Sequence, residues 1–370
     1  MGSETSKAAQ AWSALVDGLK AAGEQLAVDT ADLDPIEQAD AFRALLRGLN
    51  NQLGRFEVDR ERPELLPFNG WRQKMFMDNP DFLYWVADIR DDRRYRISGS
   101  VGDAAYTSIT AYSASGALTA EATGRTDSDR LGIDSEGNFA LTVSREPPAD
   151  GGDWLELPEG ASVVWVRHFH DDAANDRIGW CRIEPLDAVA APAPIEPGRF
   201  AHRLERLGQG IGMFPSIFAA SVADDLAHPN EVRHWSEMAG GSAFTEPNIS
   251  YLRGAWELEQ GEALVLEGDL VACRYWSVLL YSRHLNSLDH RNRRVSLTGA
   301  RARIVDGRYR IVLAASDPGD GDGGGGWAGD WLDTEGRRFG LVVFRFLQTR
   351  GEVALPAVRR CRLDELGGDR

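Results

Sequence analysis

Hydrophobic residues upstream of about Tyr95 recur with the spacing of α-helices. One apolar stripe runs from Trp12 to Leu19, and a second runs from Phe42 to Leu53. Asp34 and Pro35 precede the second stripe as a capping residue and a first-turn proline. The pattern therefore predicts two amphipathic helices at the start of the chain.

Two more helical stretches are predicted further along. Asn79-Pro80 is typical of a helix start, and a short third helix would then carry Phe82 and Trp85. A longer helical segment is predicted from Arg199 to about Ala227. It follows a stretch rich in Pro and Ala, residues 188–197, which is typical of a linker.

From about Tyr95 the pattern changes to alternating apolar and polar residues, which is typical of β-strands. The clearest runs are Ala105–Tyr112, Asn138–Val143 and Ser162–Phe169, and similar runs resume at about Leu252 and continue through Phe346. Many short strands with Gly- and Pro-rich turns favour antiparallel sandwiches or jelly rolls over a doubly wound sheet.

Four short patterns occur twice in the same order. The pairs are Tyr106–Tyr112 with Tyr275–Tyr281, Gly137–Val143 with Gly307–Leu313, Asp153–Leu155 with Asp330–Leu332, and Arg167 with Arg345. The second copy also has a glycine run, Gly323 to Gly326, between its second and third patterns. A shared order is hard to produce by chance, so we interpret the chain as an internal duplication.

These observations predict a mainly β protein with a helical N-terminal region and two tandem antiparallel β-sandwich or jelly-roll modules. The predicted divisions are a helical region (1–91), a first module (92–187), a linker with a helical segment (188–257) and a second module (258–370).

Composition narrows the range of partners. The formal net charge of −16 disfavours nucleic acid and anionic membrane surfaces. The three cysteines lie far apart and give neither a disulfide framework nor a metal-ligand spacing. The chain has no apolar leader and no apolar run long enough to cross a bilayer, so we predict a cytoplasmic protein without membrane contact. Assembly into a homo-oligomer stays open.

Several stretches are similar to a known family. In the second copy they are Glu262–Gly268, Cys273–Tyr281, His290–Ser296, Gly307–Ala314 and Trp331–Gly336, and upstream they are Arg43–Leu53, Asp78–Tyr84 and Gly152–Pro158. In these stretches the chain resembles the bacterial family called domain of unknown function 1214, including its stand-alone members. The resemblance implies a β-sandwich or jelly-roll fold and brings no established activity or catalytic residue.

A strand of the second copy carries polar side chains on one face. Period-two spacing places Tyr275, Ser277, Tyr281 and Arg283 together. These residues could line a small-molecule pocket, in which aromatic walls surround a few polar groups. Alternatively, their hydroxyls meet loops or water at the edge of the sandwich.

Two arginines occupy equivalent positions in apolar strands. Because arginine stays charged, Arg167 and Arg345 each require an oxygen-bearing partner. Asp153 and Asp330 could form a structural ion pair with them, one in each copy. The alternative is recognition of a ligand carboxylate or carbonyl group in at least one copy, with Trp331 and Arg345 as walls of the site.

Histidines suggest two further kinds of chemistry. His284, Asp289 and His290 follow the Tyr275–Tyr281 strand, and imidazole beside carboxylate suits general acid–base catalysis near neutral pH, although the same residues also fit a solvated loop. His168 and His170 share a strand face, but no further ligands follow at a suitable spacing, so we predict no bound metal.

The sequence supports two hypotheses about function. The first is a metal-independent enzyme or accessory enzyme that acts on a small, partly apolar carbonyl or hydroxyl metabolite. We expect no cofactor, because no glycine-rich nucleotide-binding loop follows a strand. The second is a non-catalytic ligand- or carbohydrate-binding or scaffold protein. A deep, closed pocket with His284 or His290 on its wall would favour the enzyme, and flat exposed aromatic rings would favour binding.

Overall fold

The helices of the chain form largely where the sequence places them. The computed structural model describes residues 6–114, 120–192, 194–237, 246–319 and 329–368. The helices are α1 (Lys7–Asp29), α2 (Pro35–Gly54), α3 (Pro197–Gly212) and α4 (Phe214–Ala227). The Asp34 carboxylate caps α2 by accepting hydrogen bonds from the backbone N–H groups of Ile36 and Glu37. The segment predicted from Arg199 forms two helices that meet at Met213.

The predicted third helix is wrong, because a strand begins at Phe82. Asn79 supports a single turn, in which its side-chain oxygen accepts the backbone N–H of Asp81 at 2.9 Å and its carbonyl accepts that of Phe82. The aromatic and β-branched residues that follow fit a half-buried strand. The strands of the first half are β1 (Leu66–Pro67), β2 (Phe82–Asp88), β3 (Tyr95–Gly102), β4 (Tyr106–Ala114), β5 (Ala120–Asp127), β6 (Asn138–Ser144), β7 (Trp154–Glu156), β8 (Val163–Phe169) and β9 (Ile178–Pro185).

The second half of the chain repeats the same strand order. Its strands are β10 (Val232–His234), β11 (Ile249–Glu257), β12 (Glu262–Asp269), β13 (Tyr275–Tyr281), β14 (Ser296–Thr298), β15 (Ile304–Val305), β16 (Arg308–Ala314), β17 (Asp330–Asp333), β18 (Phe339–Leu347) and β19 (Ala357–Arg362). The first module pairs its strands as β1-β2-β8-β4-β5 and β7-β6-β3-β9. The second pairs them as β10-β11-β18-β13-β14 and β15-β16-β12-β19, with β17 beside β16. The predicted duplication is therefore confirmed as two mainly antiparallel sandwiches; their connection as jelly rolls stays a prediction.

Repeated tryptophans show how closely the two modules correspond. Trp154 pairs in parallel with Thr142, and its indole N–H donates to the carbonyl of Ser144 at 3.0 Å. Trp331 pairs in the same way with Val312 and donates to the carbonyl of Ala314, also at 3.0 Å. The repeated Asp-Trp-Leu pattern thus marks one parallel strand at the edge of a sheet in each module.

The chain divides into two compact units that do not follow a single cut along the sequence. One unit contains residues 1–75, 83–169 and 177–219, and the other contains 76–82, 170–176 and 220–370. Two short segments from the first half of the chain therefore belong to the unit that holds the second module. The glycine run Gly323 to Gly326 lies outside the described residues.

The sheet of the second module that contains β13 and β18 has two distinct faces. On one face, Trp276 stacks on Phe346, and Tyr309 from the other sheet lies 5.8 Å from the Trp276 ring. This face belongs to the core between the sheets. Because successive side chains of a strand alternate, Tyr275, Ser277 and Arg345 lie on the opposite side, which we call the outer face.

Candidate functional site

A row of polar and aromatic residues crosses the outer face of the second module. Tyr251 on β11 lies opposite Arg345 on β18, which lies opposite Ser277 on β13, and Ser277 in turn lies opposite Thr298 on β14. Antiparallel partners project to the same side of a sheet, so these four side chains are neighbours. All except Tyr251 are buried. Their burial requires something to cover the row.

Part of the cover is the segment Phe76–Phe82, which we call the cover segment, and the backbone of Asp171 covers Thr298. Met77 is bound through both backbone groups: its N–H donates to the carbonyl of Leu285 at 2.7 Å, and its carbonyl accepts from the Tyr281 hydroxyl at 3.3 Å. The Asp78 carboxylate accepts from the backbone N–H and the hydroxyl of Ser287, at 2.8 and 2.7 Å. The cover segment is thus tied to β13 and to the loop that follows it.

Arg345 lies at the centre of this arrangement. Its Nη2 donates to the Tyr281 hydroxyl at 2.8 Å and to the Met77 carbonyl at 3.3 Å. The guanidinium also lies within 6 Å of the ring centres of Phe82, Tyr251 and Tyr281. Oxygen acceptors and aromatic faces together compensate a charge that cannot be neutralised by losing a proton.

The cover segment also contributes a buried carboxyl group. Burial raises the pKa of Asp81 from 3.8 to about 6, although the nearby charges of Arg301 and Arg345 act in the opposite direction. Nη2 of Arg301 lies 3.2 Å from Oδ1 of Asp81. Burial likewise raises the pKa of Tyr275 well above its ordinary value, with the charge of Asp81 as the next cause. The Tyr275 hydroxyl donates to the carbonyl of His170 at 3.2 Å.

The structure brings only some of the predicted site residues together. Tyr275 and Tyr281 share the outer face, as their spacing predicts, and Arg345 lies on the same face through the pairing of β18 with β13. The Arg283 guanidinium lies 4.4 Å from the ring centre of Phe339. Trp331 uses its indole N–H for the strand contact described above, in the sheet that does not contain β13.

The predicted acid–base cluster lies in the loop after β13. His284 is buried, and the side chain of Asn286 donates to its carbonyl. The Asp289 carboxylate accepts the backbone N–H groups of Arg291 and Asn292, as in an Asx turn, while His290 is partly exposed. Asp289 thus has a local structural role, and the catalytic role predicted for this cluster stays a prediction.

The predicted ion pairs between the repeated Asp and Arg residues do not form. The Asp330 carboxylate binds Arg294 at 2.6 Å and the backbone N–H of Arg303 at 2.7 Å. The Asp153 carboxylate accepts the backbone N–H of Gly132. Both aspartates directly precede the tryptophan of an edge strand, and each stabilises a neighbouring loop by accepting hydrogen bonds from it.

The two histidines of β8 and the segment after it have different partners. Nε2 of His168 lies 3.4 Å from the Cys181 sulfur, and its ring lies 4.8 Å from that of Trp85. Nδ1 of His170 lies 3.1 Å from the Asp176 carboxylate. Among the described residues, no group of three or more His, Cys, Asp or Glu side chains is arranged to hold a metal ion.

A separate cavity lies at the end of the second module. It has a volume of about 380 Å³ and is bounded by the β11–β12 turn and by the turn between β17 and β18, including Thr334, Gly336 and the buried Arg337. This second turn belongs to the Trp331–Gly336 stretch that resembles the family. In the first module, a smaller cavity of about 280 Å³ lies beside residues 156–159.

Sequence reasoning missed Asp81, Met77, Phe82 and Tyr251. Asp81 and Phe82 lie in the Asp78–Tyr84 stretch, whose resemblance to the family was the one signal that could have marked them. Nothing in the local pattern indicates that this stretch lies on a face formed by residues 204 to 268 positions later. That proximity is a property of the tertiary fold.

The comparisons agree with this architecture. The family described as "Protein of unknown function (DUF1214)" matches residues 87–172 and 258–350, and the chain belongs to that family. Each of its two matches lies within one of the two sandwiches. A comparison with functionally curated proteins gives no match.

Two solved structures are similar to the chain. A putative uncharacterized protein from Burkholderia cenocepacia is 30% identical, with a TM-score of 0.87 over 96% of this chain and 98% of that one. The VPA0106 protein from Vibrio parahaemolyticus is 12% identical, with a TM-score of 0.49 over 86% of this chain and 98% of that one, which is too low to support an argument. In the described part of the chain, no helix has the length and apolar character needed to cross a membrane.

Proposed function

We propose that the protein is a metal-independent enzyme that moves a proton on a small, partly apolar carbonyl or hydroxyl metabolite, at the outer face of the second module. One observation carries this proposal: a buried carboxyl group with a pKa of about 6, Asp81, shares that face with Arg345, Tyr275 and Tyr281. Ionisable groups shifted toward neutral pH are typical of sites that transfer protons.

Each residue has a distinct role in the proposed reaction. The Asp81 carboxylate accepts a proton from the carbon next to a carbonyl group, the electron pair of that C–H bond forms a C=C bond to the carbonyl carbon, and the C=O π pair moves to the oxygen to give an enolate. Arg345 and the Tyr281 hydroxyl stabilise the oxygen as its charge develops. The rings of Phe82 and Tyr251 contact the apolar part of the molecule. Return of a solvent-exchanged proton from Asp81 completes the cycle without net oxidation.

The test uses 2-oxobutanoate in D₂O, with loss of the C3 proton signal followed by NMR. The protein should accelerate exchange, and Asp81→Asn should slow it by about 100-fold or more, because the amide cannot accept the proton. Asp269→Asn is the matched control, since its side chain is 78% exposed and lies on β12. Exchange that continues unchanged in Asp81→Asn would contradict the proposed role.

The second candidate is a non-catalytic binding protein, which the cavity of about 380 Å³ beside the Trp331–Gly336 stretch favours. Saturable binding of a small ligand, lost in Arg337→Ala and unaccompanied by exchange in any carbonyl probe, would support it over the enzyme. A cytoplasmic location is part of both candidates and rests on the sequence grounds given above.

A further inference from the structure

We infer that the Met77 carbonyl occupies the position of the ligand's carbonyl oxygen, and that the cover segment must withdraw for a ligand to take its place. The inference depends on the proposed function only for the location of the site. It adds that the site is closed by its own chain and that the closing group imitates the ligand.

The hydrogen bonds around Met77 support this reading. Its carbonyl oxygen receives two donors, the Tyr281 hydroxyl and Nη2 of Arg345, both at 3.3 Å. The two donors are themselves joined at 2.8 Å, so they form a fixed pair. A charged donor and a neutral donor that converge on one oxygen are the arrangement that stabilises a carbonyl or an oxyanion in an active site.

Backbone strain indicates that the closed conformation of the cover segment is conformationally unfavourable in itself and is held by its contacts. Phe76 and Met77 have φ values of 43° and 60°, so two consecutive residues other than glycine adopt the left-handed conformation. Each such residue is conformationally strained and persists only where its surroundings hold it. A ligand that replaces the Met77 carbonyl would release this strain as the segment withdraws.

The remaining contacts of the cover segment suggest how far it moves. Asp78 is anchored by two hydrogen bonds to Ser287, and the backbone of Asp81 accepts the N–H of His170 at 2.9 Å. Met77, in contrast, is held through its backbone alone, by one hydrogen bond at its N–H and two long ones at its carbonyl. Opening around Phe76 and Met77 alone would free Arg345 and Tyr281 and leave Asp81 in place to receive a proton.

The class of ligand follows from the group it replaces. A peptide carbonyl is a neutral, strong acceptor, and the ring faces of Phe82 and Tyr251 border the same guanidinium. A ketone carbonyl meets the same requirements, either in a neutral ketone or in a 2-oxo acid. The two sources differ in charge, and the neutral 2-butanone and the anionic 2-oxobutanoate are probes that distinguish them.

Hydrogen–deuterium exchange of the Met77 amide, which is protected by its bond to Leu285, reports opening directly. A saturating probe should increase exchange at Met77 while the β13 and β18 amides stay protected. If 2-butanone and 2-oxobutanoate act equally, the carbonyl alone is recognised. If only 2-oxobutanoate acts, its carboxylate contributes as well.

Two substitutions at Met77 should move the equilibrium in opposite directions. Met77→Gly removes the left-handed strain and should weaken probe binding on the order of fivefold, because closure becomes easier. Met77→Val, with a β-branched side chain that disfavours positive φ, should strengthen binding by a similar factor and increase amide exchange in the segment. Asp306→Gly relieves the same kind of strain (φ 52°) in an exposed turn and is the matched control.

The outcomes separate this inference from the proposed function. Probe binding with faster Met77 exchange but no proton transfer supports the inference and contradicts the enzyme. Proton transfer with unchanged Met77 exchange contradicts the inference alone. Failure of both probes to alter Met77 exchange, or a Met77 amide that exchanges only when β13 and β18 do, overturns the inference. If Met77→Val does not fold, the direction of the Met77→Gly effect decides.

Discussion

The two modules place the same Arg–Tyr pair in two different environments. Arg167 donates to the Tyr112 hydroxyl at 3.0 Å, and Arg345 donates to the Tyr281 hydroxyl at 2.8 Å. Each arginine lies opposite an equivalent serine in the neighbouring strand. The pair therefore belongs to the duplicated fold, and its presence alone is not evidence of a binding site.

The difference lies in what surrounds each guanidinium. Arg167 lies near the ring faces of Trp165, Tyr112 and Tyr84, with centre distances of 4.9, 5.5 and 5.9 Å. Around Arg345, the Met77 carbonyl and the charge of Asp81, both from the cover segment, accompany a similar set of aromatic rings. The comparison teaches that a structural arginine becomes a candidate functional one when a segment from elsewhere in the chain brings oxygen atoms to it.

The largest expected effect comes from replacing the two arginines in turn. Arg345→Met should reduce exchange of 2-oxobutanoate by about 100-fold or more, because the charge that stabilises the enolate oxygen is lost. Arg167→Met keeps an apolar, unbranched side chain among aromatic rings and should leave exchange within about twofold. Exchange rates compared at equal folded fractions, checked by circular dichroism, provide the measurement. Equal losses in both variants would remove the proposed functional difference between the modules.

Asp81 makes the free energy of unfolding depend on pH. Its pKa is raised in the folded state from 3.8 to about 6, so protonation favours folding. The stabilising contribution is complete below about pH 3.8 and is lost as pH rises through about 6. Arg301, Asp172 and Arg345 are the groups whose charges act on Asp81, and Ser296 forms a hydrogen bond with it. The free energy of unfolding should therefore fall by up to about 3 kcal/mol across this window.

Asp81→Asn should remove this dependence and raise the free energy of unfolding at pH 7 by up to about 3 kcal/mol, since a neutral side chain replaces a buried charge. Urea unfolding at pH 4, 5, 6 and 7 measures the effect. The same variant is inactive under the proposed function, so greater stability would accompany lost activity. A variant whose stability still falls between pH 4 and 6 would show that another group titrates there.

Periodicity and repetition were sufficient to predict much of the fold. A single sequence contains these patterns because they are either local or repeated within the chain. They are the apolar stripes of α1 and α2, the alternation of β4 and β13, and the ordered repeats. The error at Phe82 arose because Asn79-Pro80 fits both a helix start and the turn that precedes a strand. Only pairing with neighbouring strands decides between these outcomes.

Part of the candidate site was predicted because it, too, depends on the local periodicity of a strand. Tyr275 and Tyr281 share a face because period-two spacing along one strand places them there, whereas Arg345 joins them through the pairing of β18 with β13. The contribution of Asp81 and Met77 depends on a contact between distant parts of the chain, which no local pattern encodes. The pKa of Asp81 likewise results from burial, which is a tertiary property.

The smallest expected effect concerns Trp154 and Trp331, which form equivalent hydrogen bonds in the two modules. Phenylalanine at either position keeps a ring but removes the indole N–H, leaving the carbonyl of Ser144 or Ala314 without that donor. Each variant should lower the free energy of unfolding by about 1 kcal/mol, and the two losses should agree within error. Chemical denaturation measures both.

The sequence also suggested Trp331 as a wall of a ligand site, and this pair of variants tests that suggestion. If Trp331→Phe weakens binding of 2-oxobutanoate while Trp154→Phe does not, the ligand reaches the edge strand of the second module, and the site extends beyond the outer face. Equal stability losses with unchanged binding confine Trp331 to the structural role that its hydrogen bond already explains.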